Sequence, residues 1–285
     1  MSMKTKLLFL LILSLFEMQL VAQEVRVGSC QSEILKRNVE YSIYTPQGDF
    51  TPYKKFPILY LLHGYGDSHH NWISQGGVDK VANELMQDNS IVLMILVMPD
   101  AGRSWYINGL EENYEDFFIN EFMPYIESEY ESIAEKNIRA VAGISMGGYG
   151  ALLYSLKYPT LFNACCALSP AILTDFEVKN MHEQVYSMFE NAFGERNSQL
   201  WGTYNILNII RDNQLNTDSL PAFYMDCGDS DFLYRGNAYL HIYMSDRRIN
   251  HYAIMRHGKH EWDYWVQGLP DALKFISLNI KKSNL

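Results

Sequence analysis

One serine stands where a nucleophile would be expected. Ser145 lies in the stretch VAGISMGGYG, between Gly143 and Gly147, where an apolar strand-like pattern gives way to a helical one. A sharp strand-to-helix turn lifts a serine Oγ out of a sheet, and glycines remove the Cβ atoms that would clash in so tight a bend. The pattern G-x-S-x-G therefore predicts that Ser145 attacks a carbonyl carbon.

A serine nucleophile needs a base to take its proton and an acid to orient that base. His260 follows a late strand-like segment and directly precedes the last helical one, so its imidazole can reach back over the sheet edge to Ser145. The acid should follow another strand end, and the stretch YMDCGDSDFLY offers three candidates. Asp226 falls inside the strand pattern, whereas Asp229 and Asp231 both lie on the turn.

The negative charge that develops on the attacked carbonyl oxygen needs hydrogen-bond donors. The backbone N–H of Met146, directly after the nucleophile, is one predicted donor. The second is the N–H of Tyr65, in the segment HGYG that follows the apolar run ILYLL. We expect these two backbone groups to form the oxyanion hole.

Tryptophans flank the segments that carry these residues, and aromatic faces near a pocket can stack on sugar or phenyl rings. Trp105 and Trp262 are the candidates for substrate contact. His257 and His260 do not fit the H-E-x-x-H or H-x-x-E-H zinc motifs, and we infer no metal. The four cysteines include the adjacent pair Cys165 and Cys166, which favours buried thiols over a disulfide.

The chain has 285 residues and begins with lysines, a short apolar run and a small residue at Ala22. This layout predicts a signal peptide at 1–22 and one catalytic domain at 23–285, and hence an exported protein, periplasmic or secreted. The formal net charge is −10 without a basic stripe, which argues against nucleic acid and an anionic membrane surface as partners. Nothing in the sequence indicates the oligomeric state.

Short apolar runs alternate with segments of helical period, which predicts an α/β domain with a mostly parallel sheet and helices on both faces. The predicted strands are Asn38–Tyr44, Pro57–Leu62, Ile91–Met98, Ile138–Ile144, Ala164–Leu168, Ala222–Cys227 and His251–Met255. The predicted helices are Val78–Met86, Tyr114–Tyr130, Met146–Tyr158 and Trp262–Ile280, the last interrupted by Pro270. The segment from Thr174 to Leu220 reads as a helical excursion without a strand, and we expect it to form part of the pocket wall.

With these residues in place, the sequence resembles the esterase D-like family of α/β-hydrolases, in its secreted feruloyl and acetylxylan esterase branch. The resemblance runs from about Tyr41 to Ile276 through PILYLLHGYGDSHHNW, VMPDAGRSWY, RAVAGISMGGYGALLYSLKYPTLF, DCGDSDFLY and HGKHEWDYW. It implies the α/β-hydrolase fold, no metal or organic cofactor, and Asp231 rather than Asp229 as the acid beside Ser145 and His260.

The resemblance implies a serine carboxylesterase that removes feruloyl or acetyl groups from polysaccharide or oligosaccharide esters. Its substrate would be a carbohydrate or small-molecule ester. Two alternatives stay open at this point. The same residues could transfer the acyl group to a sugar hydroxyl, or the fold could serve a non-catalytic binding protein.

Overall fold

Eight strands form one sheet in the computed structural model, which describes residues 24–46, 56–130, 138–196, 198–212 and 215–280. The strands are β1 Glu24–Ser32, β2 Arg37–Thr45, β3 Ile58–Leu62, β4 Ile95–Pro99, β5 Arg139–Ile144, β6 Ala164–Leu168, β7 Ala222–Gly228 and β8 His251–Arg256. Their order is β1-β2-β4-β3-β5-β6-β7-β8. β2 is antiparallel to both its neighbours, β1 and β4, and the other five neighbouring pairs are parallel. The prediction of a mostly parallel sheet is confirmed. The predicted signal peptide lies outside the described residues.

The central strands are buried on both faces, since every residue of β3, β4, β5 and β6 is shielded from solvent. Helices cover both faces of the sheet. The sheet separates two clusters of buried side chains. The order of the strands reverses at β3, because β4 lies on one side of it and β5 on the other. Ligands of open α/β sheets bind at the carboxyl edge beside such a switch point.

The helices follow the predicted alternation, with differences in detail. They are α1 Asn71–Ser74, α2 Val78–Gln87, α3 Tyr114–Phe117, α4 Met123–Glu129, α5 Met146–Lys157, α6 Asp175–Asn180, α7 Glu183–Phe193, α8 Gln199–Tyr204, α9 Ile206–Asp212, α10 Tyr234–Asp246 and α11 Trp262–Asn279. A π-helical turn at Phe118–Phe122 joins α3 to α4. Pro124 at the start of α4 lacks a backbone donor, and its missing hydrogen bond coincides with this widened turn.

Two predicted elements differ from the structure, and other elements were not predicted. The predicted strand from Ile91 begins only at Ile95, because the N–H of Ile91 donates to the carbonyl of Leu85 and closes the end of α2. α11 continues through Pro270 without interruption. The edge strand β1 and the helix α10 were not predicted.

The segment between β6 and β7 is helical, as predicted, and contains α6 to α9 and a 3₁₀ turn at Thr217–Ser219. Thr174 caps α6, and Ser198 caps α8, each through a side-chain oxygen that accepts a backbone N–H. The four cysteines are buried free thiols. Within the described ranges, no helix is both long enough and apolar enough to cross a bilayer.

Candidate active site

Ser145 occupies the bend between β5 and α5, with φ 53° and ψ −118°. This backbone conformation is unfavourable for a residue with a Cβ and is typical of functional turns. Gly147 makes the bend possible, because a Cβ there would overlap the carbonyl of Leu62. A Cβ on Gly143 would in turn overlap the backbone of Gly147. Both glycines next to the serine are therefore required by close backbone packing.

His260 lies between Ser145 and Asp231. Its Nε2 is 2.9 Å from Oγ of Ser145, and its Nδ1 is 2.8 Å from Oδ2 of Asp231. A carboxylate only accepts hydrogen bonds, so Nδ1 carries the proton and Nε2 accepts from the serine hydroxyl. With a neutral ring, this arrangement is the tautomer that can take the proton of Ser145.

The carboxylate of Asp231 is fixed on its other side as well. Its Oδ1 accepts the backbone N–H of Leu233 at 2.8 Å, and its side chain is fully buried. The imidazole of His260 is 14% exposed, which leaves a route for an ester to reach it. The pair therefore combines a rigid, buried acid with a base that faces the solvent side.

The two competing aspartates have other partners. Asp229 is exposed, accepts the N–H of Gly258 at 3.2 Å and pairs with His257, and these contacts lower the pKa of its carboxyl. Asp226 is buried and accepts from Tyr264 and from the guanidinium of Arg256. Of these three aspartates, only Asp231 contacts His260.

The loop after β3 lies against the nucleophile. A Cβ built on Gly64 would be 3.6 Å from Cβ of Ser145. His63 fixes this loop, because its Nδ1–H donates to the carbonyl of Gly64 at 2.8 Å and its Nε2 accepts the N–H of Ala101 at 2.8 Å. Burial lowers the pKa of His63, in keeping with a neutral ring that both donates and accepts.

Tyr65 directly follows Gly64 in this loop, and its N–H stays a predicted donor of the oxyanion hole. Met146 is the first residue of α5, and the first N–H groups of a helix have no partner within it. Its N–H is therefore available to an oxygen bound beside Ser145. The partly buried ring of Tyr65 lies 5.8 Å from that of Trp105.

Trp105 and Trp262 are on opposite faces of the sheet. Trp105 is buried, stacks on Phe189 at 4.2 Å and donates its indole N–H to the carbonyl of Met188. Trp262 packs edge-on against Trp72 in the other core cluster, at 5.6 Å between ring centroids. Trp105 lines a cavity, which we call the Trp105 cavity, whereas Trp262 lies near Trp265 at 5.4 Å between ring centroids. That either ring contacts the substrate stays a prediction.

The Trp105 cavity has a volume of about 20 Å³. Its wall combines Trp105, Tyr149 and Ala171 with aromatic side chains of the helical excursion, which are Phe189, Phe193, Trp201 and Tyr204. Two wall residues are tied to the nucleophile, since the backbone N–H groups of Tyr149 and Ala171 both donate to the carbonyl of Ser145. The spacing of Phe189 and Phe193, one helical turn apart, was the available sequence signal for this wall.

Trp265 contacts the histidine, a supporting role that the sequence did not predict. Its ring meets that of His260 edge-on at 5.0 Å, and its indole N–H donates to Oγ of Ser169 at 3.0 Å. Ser169 in turn donates its backbone N–H to the carbonyl of Asp226. This chain of contacts restricts the orientation of the imidazole from the side opposite the solvent.

The described residues contain no group of three or more histidine, cysteine or acidic side chains arranged to hold a metal ion. His69 is buried, and its Nδ1 lies 2.9 Å from Oγ of Ser42. The residues of the candidate site lie at the carboxyl ends of β3, β5, β7 and β8.

Solved structures of other hydrolases share the fold. A solved structure of a ferulic acid esterase superposes with a TM-score of 0.79 at 27% identity, over 91% of this chain and 99% of that chain. An S-formylglutathione hydrolase of Agrobacterium tumefaciens has a TM-score of 0.74 at 19% identity, over 93% of this chain and 100% of that chain, and shares the fold. The architecture is the α/β-hydrolase fold, as the sequence predicted.

Two curated relatives carry esterase names. An acetyl esterase of Caldicellulosiruptor saccharolyticus is 27% identical over 263 residues, which cover 86% of this chain and 95% of that protein. An endo-1,4-beta-xylanase/feruloyl esterase of Xylanibacter ruminicola is 30% identical over 148 residues, 49% of this chain and 20% of that much longer protein. The model of the Esterase family matches residues 32–276. The chain therefore belongs to the Esterase family and is an enzyme that hydrolyses esters.

Proposed function

We propose that the chain is a serine esterase that removes acetyl groups from carbohydrate esters through a covalent acyl-enzyme. Oγ of Ser145 attacks the ester carbonyl while Nε2 of His260 takes its proton, and Asp231 stabilises the imidazolium that forms. The observation that carries the proposal is the unbroken chain of contacts of 2.9 and 2.8 Å from serine through histidine to aspartate.

The tetrahedral intermediate collapses when His260 returns the proton to the leaving alcohol. Water then enters, His260 takes one of its protons, and the hydroxide attacks the acyl carbonyl. The bond to Oγ breaks, His260 returns the proton to Oγ, and the acid leaves with Ser145 regenerated. The N–H groups of Met146 and Tyr65 stabilise the oxyanion in both halves of the reaction. Loss of one such donor typically removes about 3 to 4 kcal/mol of transition-state stabilisation.

We assign the acyl group to the Trp105 cavity, whose wall residues Tyr149 and Ala171 donate to the backbone carbonyl of Ser145, and the size of this cavity favours acetyl over feruloyl. A cavity needs roughly 10 to 15 Å³ to hold one water molecule, so a volume of about 20 Å³ is suited to a methyl group. The rings of Trp105 and Phe189 are stacked and would have to separate before a phenylpropenoyl group could enter. The carbohydrate part of the proposal rests on the names of the related esterases.

Replacing Ser145 with alanine tests the mechanism. Hydrolysis of 4-nitrophenyl acetate should fall by about 10⁶-fold, as in serine hydrolases that lose the nucleophile. Labelling by a fluorophosphonate should be lost at the same time. Ser187→Ala, which changes an exposed serine of α7, is the matched control and should retain both. Retained hydrolysis by purified Ser145→Ala would refute the proposal.

A further inference from the structure

A groove lies between the helical excursion and α10, and we call it the α10 groove. It has a volume of about 290 Å³, close to the lower bound of roughly 300 Å³ for ligand pockets. Residues of α6, α9 and α10 line it, among them Asp175, Phe176, Asn208, Arg235, Tyr239 and Tyr243. The volume of the groove is therefore many times that of the Trp105 cavity.

The lining of the α10 groove combines exposed aromatic rings with groups that form hydrogen bonds. Phe176 is 71% exposed and Tyr239 is 40% exposed, although large hydrophobic side chains are normally covered. Arg235, Tyr239 and Tyr243 recur every four residues and so share one face of α10, about 12 Å long. Aromatic faces that alternate with planar polar groups suit the stacking and hydroxyl contacts of a sugar chain.

The charges of the α10 groove favour a neutral ligand. Nε of Arg211 is 2.7 Å from Oδ1 of Asp212, and Nε of Arg235 is 3.9 Å from Oε1 of Glu177. Each cation at the groove thus has an acidic neighbour, and Asp175 adds a further carboxylate. A phosphate or a polyanion would find no excess positive charge here.

Two segments connect the α10 groove to the candidate active site. The segment that follows β6 binds Ser145 through the N–H of Ala171 and enters the groove at Thr174, three residues later. The loop that holds Asp231 continues directly into α10, where Arg235 lines the groove. Nδ2 of Asn237 donates to the carbonyl of Pro170 at 3.0 Å and fixes the two segments to each other.

The loop from Asp231 to α10 lies on the leaving-group side of the reaction. In the proposed mechanism, His260 protonates the alcohol that departs. Phe232 is 69% exposed, and its ring lies 4.6 Å from the imidazole of His260. An alcohol held at His260 therefore meets Phe232 first, and the chain continues from Phe232 into the helix that lines the groove.

We infer that the α10 groove binds the neutral oligosaccharide that carries the ester, with Phe232 between the groove and the reacting bond. The inference rests on the proposed function, because it identifies this side as that of the alcohol. The acyl group and the carbohydrate then occupy separate places: the small cavity beside Trp105 and the groove along α10. The enzyme would consequently recognise a sugar chain rather than only a single acetylated sugar.

A double variant, Phe176→Ala with Tyr239→Ala, tests the inference. We expect kcat/KM for acetylated xylo-oligosaccharides to fall at least five-fold through a higher KM, and kcat/KM for 4-nitrophenyl acetate to stay within two-fold. Tyr252→Ala, which removes an exposed tyrosine of β8 outside the groove lining, is the matched control and should change neither. Retained aryl acetate hydrolysis also shows that the variant is folded.

A binding measurement separates this inference from the proposed function. Acetylated xylo-oligosaccharides should bind to Ser145→Ala in calorimetry, and the added Phe176→Ala and Tyr239→Ala changes should weaken that binding at least five-fold. Unchanged oligosaccharide binding and turnover in the double variant would overturn the inference while leaving the esterase mechanism intact. Full hydrolysis of aryl acetate by Ser145→Ala would instead overturn the mechanism. A change in self-association with sugar binding unaltered would identify the groove as a protein interface and also overturn the inference.

Discussion

Replacing Asp231 with asparagine tests the assignment of the acid with almost no change in shape. Oδ1 of Asp231 accepts the N–H of Leu233 at 2.8 Å, and Oδ2 faces Nδ1 of His260 at 2.8 Å. The amide oxygen of asparagine can retain the first bond, which turns its NH₂ group towards the imidazole. Since an amide nitrogen only donates, Nδ1 must become the acceptor and the ring proton moves to Nε2. Nε2 then points a proton at Ser145 and can no longer act as its base.

The expected loss is large and confined to catalysis. The same change in a serine protease triad lowers kcat by about 10⁴-fold, which corresponds to about 5.4 kcal/mol at 1.36 kcal/mol per factor of ten. KM should change little, because the buried carboxylate of Asp231 does not face the substrate. The assay is kcat and KM for 4-nitrophenyl acetate, together with a urea titration to show that the variant is folded.

Asp229→Asn is the matched control, because Asp229 lies two residues away on the same turn and is exposed. Its carboxylate contacts Gly258 and His257 rather than the histidine at the serine. We expect this variant to retain activity within two-fold. If Asp231→Asn kept more than a tenth of the wild-type kcat, or if both variants lost activity equally, the tautomer argument would be wrong.

Two further predictions concern acyl size and pH. In a series of aryl acetate, propionate and butyrate, kcat/KM should fall about ten-fold or more at the first added methylene. A misfit of that size in an apolar pocket is worth about 1 to 3 kcal/mol. Equal kcat/KM values for acetate and butyrate would contradict the assignment of the Trp105 cavity to the acyl group. Burial lowers the pKa of His69 below its usual 6.5. Below about pH 6.5 the unfolded chain therefore binds more protons at this residue than the folded chain does, and the free energy of unfolding should decrease as the pH falls. Urea titrations across this pH range should show a shallower decrease of the free energy of unfolding for His69→Gln than for the wild type. The same pH dependence in both proteins would contradict this prediction.

The sequence predicted the elements that position the candidate site because these obey local rules. Ser145 stands between glycines that the backbone needs, and His260 precedes a helix that begins at Trp262. Parallel strands bring their carboxyl ends to one edge, so residues far apart in the chain can be expected to lie together there. The choice of Asp231 over Asp229 depended on family resemblance, since both lie on one turn. Side-chain contacts that distinguish them form only in the folded chain.

Other features depend on contacts that no local pattern contains. β1 was missed because Val25 and Val27, its clearest strand-forming residues, face solvent at the sheet edge, so the apolar alternation does not mark a buried face. The support of His260 by Trp265 depends on Ser169, almost one hundred residues earlier in the chain. The volume of the Trp105 cavity depends on how α7 and α8 pack against Trp105.

The failure to predict α10 has the same physical origin as the exposed lining of the groove that this helix borders. A helix is recognised from sequence when its apolar residues fall on one buried stripe. In α10, Leu240 and Met244 are buried, whereas Tyr239 and Ile242 are exposed, so large apolar side chains occur on both faces and the helical period is blurred. Stability alone would favour polar residues on the outer face. Places where a sequence departs from such local rules without a gain in packing are often functional sites. The exposed aromatic residue Tyr239 of α10 is such a departure, and a ligand bound in the α10 groove would explain it.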